Sequence, residues 1–219
     1  MVAPPAAPCP NPLLRGLIHE LSFGLAVAAG VLLVAAAPGP AAKLGCALYA
    51  ASLAGLLGIS ALYHRPTWSE PVRSWLRRVD HSAIFVLIAG TYTPLSLTLQ
   101  APLARRMLTV AWVGAAIGVV RALFFPRARR WVVALLALSL GWASAAYLPA
   151  VHATAGGSVT MLLALGGGLY SFGAAAYALR RPDPWPRVFG YHEVFHALVV
   201  IAAACHFAAI ATALPAVLV

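Results

Sequence analysis

The chain has 219 residues, of which 62% are apolar and only 9% are charged, and its mean hydropathy is +0.88. Because soluble domains carry about 25% charged residues, this composition excludes a soluble protein and predicts an integral membrane protein. The formal net charge of +10 would suit a nucleic-acid partner, but membrane topology explains its distribution between the predicted loops, so no nucleic acid is expected.

The N-terminal stretch MVAPPAAPCPNP is rich in Pro and lacks the basic region of a signal peptide. Residues 1–14 are therefore predicted to form a disordered tail, and residues 15–219 a single transmembrane domain. The three cysteines, Cys9, Cys46 and Cys205, are scattered without a CxxC spacing, which favours neither a thiolate metal site nor a disulfide framework.

Seven stretches are apolar over the roughly 20 residues that a helix needs to span a bilayer. They lie at residues 17–37, 41–63, 80–99, 107–125, 131–149, 157–179 and 192–213. Their continuous Ala, Leu and Val runs differ from the alternating pattern of a transmembrane barrel. The predicted fold is therefore all-α, a polytopic bundle of seven transmembrane helices joined by short loops.

Most of the 15 Lys and Arg residues fall on one side of the membrane when the seven predicted spans alternate in direction. That side carries Arg15, Arg65, Arg73, Arg77, Arg78, Arg121, Arg127, Arg129, Arg130, Arg180, Arg181 and Arg187. The other side carries Lys43, Arg105 and Arg106. The positive-inside rule then predicts a cytoplasmic N-terminus and an outer C-terminus, with anionic lipid headgroups beside the basic loops.

Ionisable residues at membrane depth are costly, so each one is a candidate for function. They are His19 and Glu20 in the first span, His64 in the second, Asp80 and His81 in the third, and His192, Glu193, His196 and His206 in the seventh. In the predicted topology, the end of the second span and the starts of the third and seventh spans lie near the inner leaflet. Three separate stretches thus place polar groups at one depth.

His192 and His196 are four residues apart, which places them on one helix face, about 6 Å apart along the axis. Such a pair can chelate one ion, and His64 is the natural third ligand. Zinc accepts three imidazoles with a fourth position for water, whose pKa it lowers to about 7. Asp80 would hydrogen-bond that water or a ligand imidazole. Ser60, one turn before His64, would stabilise a developing oxyanion.

These side chains also have structural interpretations. A lone residue such as His64 is often a packed, hydrogen-bonded histidine between helices. Asp80 could pair with the arginines that precede it, and Ser60 could bond back to a carbonyl one turn earlier. His206 lies more than two turns beyond the histidine pair, so it is interpreted as an interhelical hydrogen-bonding residue.

The stretch HEVFH at 192–196 also matches the HExxH pattern of metalloproteases, in which the Glu is the general base. Such enzymes take their third zinc ligand from further along the chain. After His196 the sequence offers no Asp or Glu and only His206. An intramembrane metalloprotease is therefore the weaker hypothesis, and the role of Glu193 stays open.

Three separated motifs, SALYH (60–64), DHSAIFVLIAGTYTPL (80–95) and HEVFHALVVIAAACHF (192–207), resemble the bacterial hemolysin III branch of the progestin and adipoQ receptor family. RGLIHELSF (15–23) fits the start of that family's first span. The resemblance covers nearly the whole chain. Because animal receptors of the family carry Gln at the position of Glu193, the resemblance implies that the fold does not require a general base there.

The resemblance implies seven helices, a cytoplasmic N-terminus and a zinc ion near the inner leaflet, with His64, His192 and His196 as ligands. It also implies that Asp80 contacts the zinc-bound water and that Ser60 lies beside the site. The wider superfamily includes alkaline ceramidases, which hydrolyse a lipid amide bond with the same set of Ser, Asp and His.

The leading hypothesis is a zinc-dependent lipid amide hydrolase in the bacterial inner membrane, linked to membrane lipid homeostasis, with membrane lipids as substrates or ligands. The alternative is a non-enzymatic receptor or sensor of membrane state, in which zinc is structural and holds the second, third and seventh spans together. A transporter is less favoured, because the GGG run at 166–168 comes without a convincing internal repeat.

Overall fold

The computed structural model describes residues 12–125 and 130–217. Eight α-helices make up most of these residues: α1 (Leu17–Ala36), α2 (Gly39–His64), α3 (Glu70–Ser96), α4 (Ala101–Phe124), α5 (Arg130–Trp142), α6 (Leu148–Ala155), α7 (Gly157–Leu179) and α8 (Tyr191–Ala213). A 3₁₀ turn at Ala143–Tyr147 joins α5 to α6, and a second at Leu214–Ala216 follows α8. The predicted all-α class is confirmed.

Some sequence predictions lie outside the described residues. They concern most of the Pro-rich tail 1–14, with Cys9, and two of the topology arginines, Arg127 and Arg129. At the end of the tail, the backbone N–H of Leu13 donates to the carbonyl of Arg187 at 3.1 Å, and that of Leu14 donates to Val188 at 3.2 Å. These bonds fasten the approach to α1 onto the loop between α7 and α8.

The helix bounds follow the predicted spans except at the starts of α3 and α4 and in the predicted span 131–149, which is divided into α5, a 3₁₀ turn and α6 and continues to Ala155. α3 begins at Glu70, well before residue 80, and α4 begins at Ala101, before residue 107. Pro71 and Pro102 each lie in the first turn, where a missing N–H costs nothing and the fixed φ suits a helix. A prediction from hydropathy alone left these polar first turns out of the helices, although a proline in the first turn favours a helix start there.

Six helical segments of the described chain are long and apolar enough to cross a membrane: Leu17–Ala36, Gly39–His64, Ala101–Phe124, Trp131–Ala155, Gly157–Leu179 and Tyr191–Ala216. The helix α3 is not among them. It packs between α2 and α4 and also contacts α5 and α8, and it buries Ser82, Thr91 and Ser96. A helix enclosed by other helices meets little lipid, so its composition can be more polar than that of its neighbours.

Small residues allow the helices to approach closely, as is common in membrane bundles. Gly30 faces Ala50 where α1 crosses α2, and Gly118 of α4 faces the ring of Phe85 on α3. Consecutive helices α1 to α4 pack as neighbours, and α8 pairs with α7 while also contacting α1 and α3. This closure brings the N-terminal ends of α1 and α8 beside the end of α2 and the start of α3.

Replacing Gly118 with Ala should destabilise the bundle, because the new methyl group would overlap the buried ring of Phe85. Overpacking of this kind costs about 1–3 kcal/mol, so the midpoint of thermal unfolding in detergent should fall. Gly168→Ala is the matched control, since a methyl group there meets no atom within 4 Å. Equal midpoints for the two variants would contradict the close α3–α4 contact.

Candidate metal centre

Three imidazoles from distant parts of the chain meet near the end of α2 and the start of α8. His64 is the last residue of α2, and His192 and His196 occupy successive turns of α8. One ligand nitrogen from each ring lies within 4.8 Å of the other two. The Nε2 atoms of His64 and His192 are 3.2 Å apart. The structure thus brings together the three histidines that the sequence singled out.

These separations suit a tetrahedral zinc ion. With Zn–N bonds of about 2.0–2.1 Å, two nitrogen ligands lie about 3.3 Å from one another. The 3.2 Å distance between His64 and His192 matches that spacing, and the ligand nitrogen of His196 lies within 4.8 Å of both. Three imidazoles with no thiolate are a donor set that zinc accepts, so zinc fits the residues and remains a prediction.

Ser60 and Asp80 lie beside the imidazoles and are both buried. The Ser60 hydroxyl is placed to donate a hydrogen bond to the Asp80 carboxyl. The arginine nearest in sequence on the same helix is engaged elsewhere, because Arg78 donates to the Leu123 carbonyl at 3.0 Å. Within the described residues the ion pairs do not include Asp80. The pair is therefore a Ser–Asp contact between α2 and α3.

A fourth imidazole, that of His19 on α1, packs on the cluster. Its ring is stacked on the ring of His196, with centroids 3.9 Å apart and 13° between the planes. An imidazole binds a metal in its own plane, so a parallel ring at this distance directs its nitrogens past the same ion. His19 is only 3% exposed, and its packing fixes the orientation of His196.

Gly16 allows α1 to approach the cluster. Its φ of 77° lies in the left-handed region, which glycine adopts without strain. A Cβ atom at this position would lie 2.8 Å from the Cβ of His64. The turn before α1 and the place of His64 therefore both depend on the absence of a side chain here.

A cavity of about 710 Å³ extends from the imidazoles through the bundle. One face of α3 lines it from Arg73 to Leu95, about 33 Å at 1.5 Å per residue. The lining is polar around the imidazoles and Asp80, and further along α3 it continues with the apolar residues Ile84, Leu87 and Ile88. Towards the far end, His206 approaches the Leu163 carbonyl at 3.3 Å, in keeping with the interhelical role predicted for it.

Comparison with known proteins assigns the chain to a family. Residues 8–207 match the family described as Haemolysin-III related. The chain belongs to this family. Its resemblance to hemolysin III proteins, first seen in three motifs, is thereby confirmed.

Relatives with curated names are similar over most of the chain. Hemolysin-3 of Bacillus cereus is 30% identical over 197 residues, 88% of this chain and 87% of that protein. The Hemolysin-3 homolog of Bacillus subtilis (strain 168) is 34% identical over 149 residues, 68% of this chain and 67% of that protein. The human Monocyte to macrophage differentiation factor is 28% identical over 176 residues, 77% of this chain and 69% of that protein.

The family match, the two bacterial relatives and the six apolar helices identify a multi-pass protein of the bacterial inner membrane.

In this member of the family, the Glu193 carboxylate is engaged in structural contacts. Its Oε1 accepts a hydrogen bond from Arg15 Nε at 2.5 Å, and its Oε2 accepts one from the backbone N–H of Gly190 at 2.9 Å. The carboxylate thus caps α8 and joins it to the segment before α1. With both oxygens engaged, this arrangement gives the protease hypothesis no support.

Glu193→Gln should lower the midpoint of thermal unfolding, because it leaves Arg15 without its buried counter-charge while keeping an acceptor for Gly190. A hydrogen bond to a charged group contributes about 1.5–3 kcal/mol. Glu20→Gln is the matched control, since its pair with Arg65 is solvent-exposed and such pairs contribute about 0–1 kcal/mol. Unfolding of the Glu193 variant at the wild-type midpoint would contradict a stabilising ion pair between Arg15, before α1, and Glu193 of α8.

Proposed function

We propose that this chain is a zinc-dependent hydrolase of lipid amides that acts at the inner leaflet. The observation that carries the proposal is the place of the Ser–Asp pair and the three imidazoles. They lie together at one end of a cavity whose lining along α3 continues with the apolar side chains of Ile84, Leu87 and Ile88. A lipid has the same polarity profile, with its amide or ester bond between a polar head and an apolar chain.

The proposal includes a bundle of seven transmembrane helices with a cytoplasmic N-terminus. The helix α3 would be the seventh crossing, enclosed by α2 and α4. Two features support this topology: the described chain has seven successive helical segments when α5 and α6 count as one, and the basic loops alternate with less charged ones. The imidazoles would then lie near the inner leaflet, level with the lipid headgroups.

His64, His192 and His196 would hold the zinc ion, and His19 would fix the orientation of the ring of His196. When bound, zinc supplies a Lewis acid that polarises a carbonyl oxygen and acidifies a water molecule. Three neutral imidazoles leave the full positive charge of the ion available for that task. The chain's own residues must then orient the substrate and move the protons.

Asp80 is the group that would move a proton. Its carboxylate accepts a proton from the attacking water, whose oxygen bonds to the amide carbon, and it then returns the proton to the leaving amine as the C–N bond breaks. Ser60 has a single donor hydrogen. While it donates to Asp80 it orients the carboxylate, and only a rotated hydroxyl could stabilise the oxyanion. Ser60 is thus first a positioning residue in this proposal.

The apolar part of the cavity would receive the acyl chain. Beyond Asp80, the cavity face of α3 presents Ile84, Leu87 and Ile88, one to two turns further along the helix. Each CH₂ group of the lipid that leaves water for such a lining contributes about 0.8 kcal/mol. A chain held there would fix its amide or ester group beside the imidazoles.

A non-enzymatic function is the second candidate, and one packing feature favours it. The helices α2 and α8 are not among the closely packed pairs of the bundle, although both contribute histidines. A zinc ion would therefore join two helices that make few direct contacts with each other. A sensor of membrane state could use such a joint, with the ion as a structural link between movable helices.

Asp80→Asn separates the two candidates. If the protein is a hydrolase, the Asp80→Asn variant should keep its metal and its fold, but its rate of lipid-amide turnover should fall by about 10²–10⁴-fold, the usual contribution of a general acid–base. Ser82→Ala is the matched control, because Ser82 lies on the same helix and bonds back to the Arg78 carbonyl at 2.8 Å. Turnover should be followed by release of free fatty acid from a ceramide-type lipid in mixed micelles. If folded, zinc-loaded wild type releases no acid from any lipid amide or ester, the hydrolase proposal fails.

A further inference from the structure

Four arginines line the polar end of the cavity: Arg15, Arg73, Arg77 and Arg121. Arg15 is neutralised by Glu193. Among the described residues, the other three guanidinium groups have no carboxylate within salt-bridge distance. Asp80 is the only acidic residue among those that line the cavity there. The cavity mouth therefore carries more positive charge than the protein itself compensates.

Arg121 is the most informative of these residues. It comes from α4, is half-buried, and its Nε atom is buried without a hydrogen-bond partner in the described part of the chain. Arg77 on α3 lines the same cavity as Arg121, and His81 lies in the lining of that end as well. Two helices thus place positive charges around one space. These charges repel each other unless an anion lies between them.

Membrane topology explains why arginines are on this side, but not why these three face the cavity. Two other arginines on the same side, Arg65 and Arg78, have partners outside the cavity. Arg65 pairs with Glu20 at 2.7 Å, and Arg78 donates to the Leu123 carbonyl while lying over the ring of Trp75. Arg73, Arg77 and Arg121 therefore differ from Arg65 and Arg78 in that they line the cavity.

The helix α3 orders the cavity face by polarity. Arg73 and Arg77 come first, Asp80 follows, and the apolar lining begins at Ile84. At 1.5 Å per residue, Asp80 lies about 4.5 Å beyond Arg77 along the axis. A ligand that fits this order has an anionic group a few bonds from the amide or ester, and an acyl chain on the other side of it.

We propose that Arg77 and Arg121, with Arg73 at the mouth, form a subsite for a phosphate group carried on the head of the lipid substrate. This inference rests on the proposed hydrolase function and narrows its substrate class to phosphate-bearing lipids. A phosphate has more oxygens and more charge than a carboxylate, so it can engage several guanidinium forks at once. The phosphate of a lipid with an N-acyl amino-alcohol backbone lies a few bonds from its amide, as the order along α3 requires.

The test is equilibrium binding to the full chain in uncharged maltoside micelles, with Asp80→Asn present to prevent turnover. The probes are a short-chain N-acyl amino-alcohol phosphate, the same lipid without its phosphate, and inorganic phosphate. We expect the phosphorylated lipid to bind roughly 10- to 100-fold more tightly than the neutral one. The preference should disappear in Arg77→Gln/Arg121→Gln. Arg106→Gln, at the other end of α4, is the matched control and should keep it.

Two further variants, Arg77→Gln alone and Arg121→Lys, show whether a loss of preference reflects misfolding. The first changes an exposed residue, and the second keeps the positive charge at a half-buried position. The first should weaken the preference and the second should largely preserve it. Equal binding of the two lipids to the parent protein, or a preference that survives Arg77→Gln/Arg121→Gln, would overturn the proposal. Inorganic phosphate that binds as tightly as the lipid would assign the subsite to free phosphate and would overturn the lipid assignment.

Turnover by the wild-type protein distinguishes this inference from the proposed function. A binding preference that depends on the arginines, without turnover of either lipid, would support the phosphate subsite and contradict the proposed hydrolase function. Turnover of both lipids at equal rates, unchanged by Arg77→Gln/Arg121→Gln, would support the hydrolase function and contradict the phosphate subsite.

Discussion

The structure depends on one constraint: imidazoles and carboxylates buried among apolar helices must satisfy one another, because water is scarce at this depth. An unpaired buried polar group costs about 1–3 kcal/mol, and an unpaired charge costs more. His64, His192 and His196 meet this constraint by converging, and a shared metal ion would satisfy all three at once. Ser60 and Asp80 meet it as a pair. The arrangement explains why polar residues from separate helices lie together.

The surrounding helix ends hold this cluster in place. Arg15 and Glu193 fasten the segment before α1 to the first turn of α8, and the Glu193 carboxylate also caps that helix. Gly16 then lets α1 turn beside His64, and His19 stacks on His196. The site is therefore assembled from the ends of several helices, so its geometry follows from how the bundle closes.

Much of this could be predicted from the sequence. The hydrophobic runs predict the helices, and the four-residue spacing of His192 and His196 is enough to place them on one helix face. The shared depth of His64, Asp80 and the histidine pair follows from alternating spans. The helices and the shared face of His192 and His196 agree with the structure because periodicity is a property of the chain itself, independent of detailed packing. The shared membrane depth stays a prediction.

Other features needed three-dimensional packing. The sequence placed His19 at membrane depth, but nothing in its spacing connects it to His196, because the stacking depends on how α1 meets α8. Glu193 lies within a protease-like motif, and only the approach of Arg15 shows that it caps a helix. The first ten residues of α3, 70–79, are polar and largely exposed, and hydropathy, which detects apolar spans, did not include them in the predicted helix.

The central claim is that one zinc ion joins His64 of α2 to His192 and His196 of α8. Its most direct test is the metal content, by elemental mass spectrometry, of protein purified in detergent without chelators. The samples are wild type, an alanine variant of each of these three histidines, and His152→Ala as the control at an exposed position. We expect about one zinc per chain in wild type and the control, and its loss in all three other variants. A wild-type protein without zinc, or zinc retained in every variant, would contradict the claim.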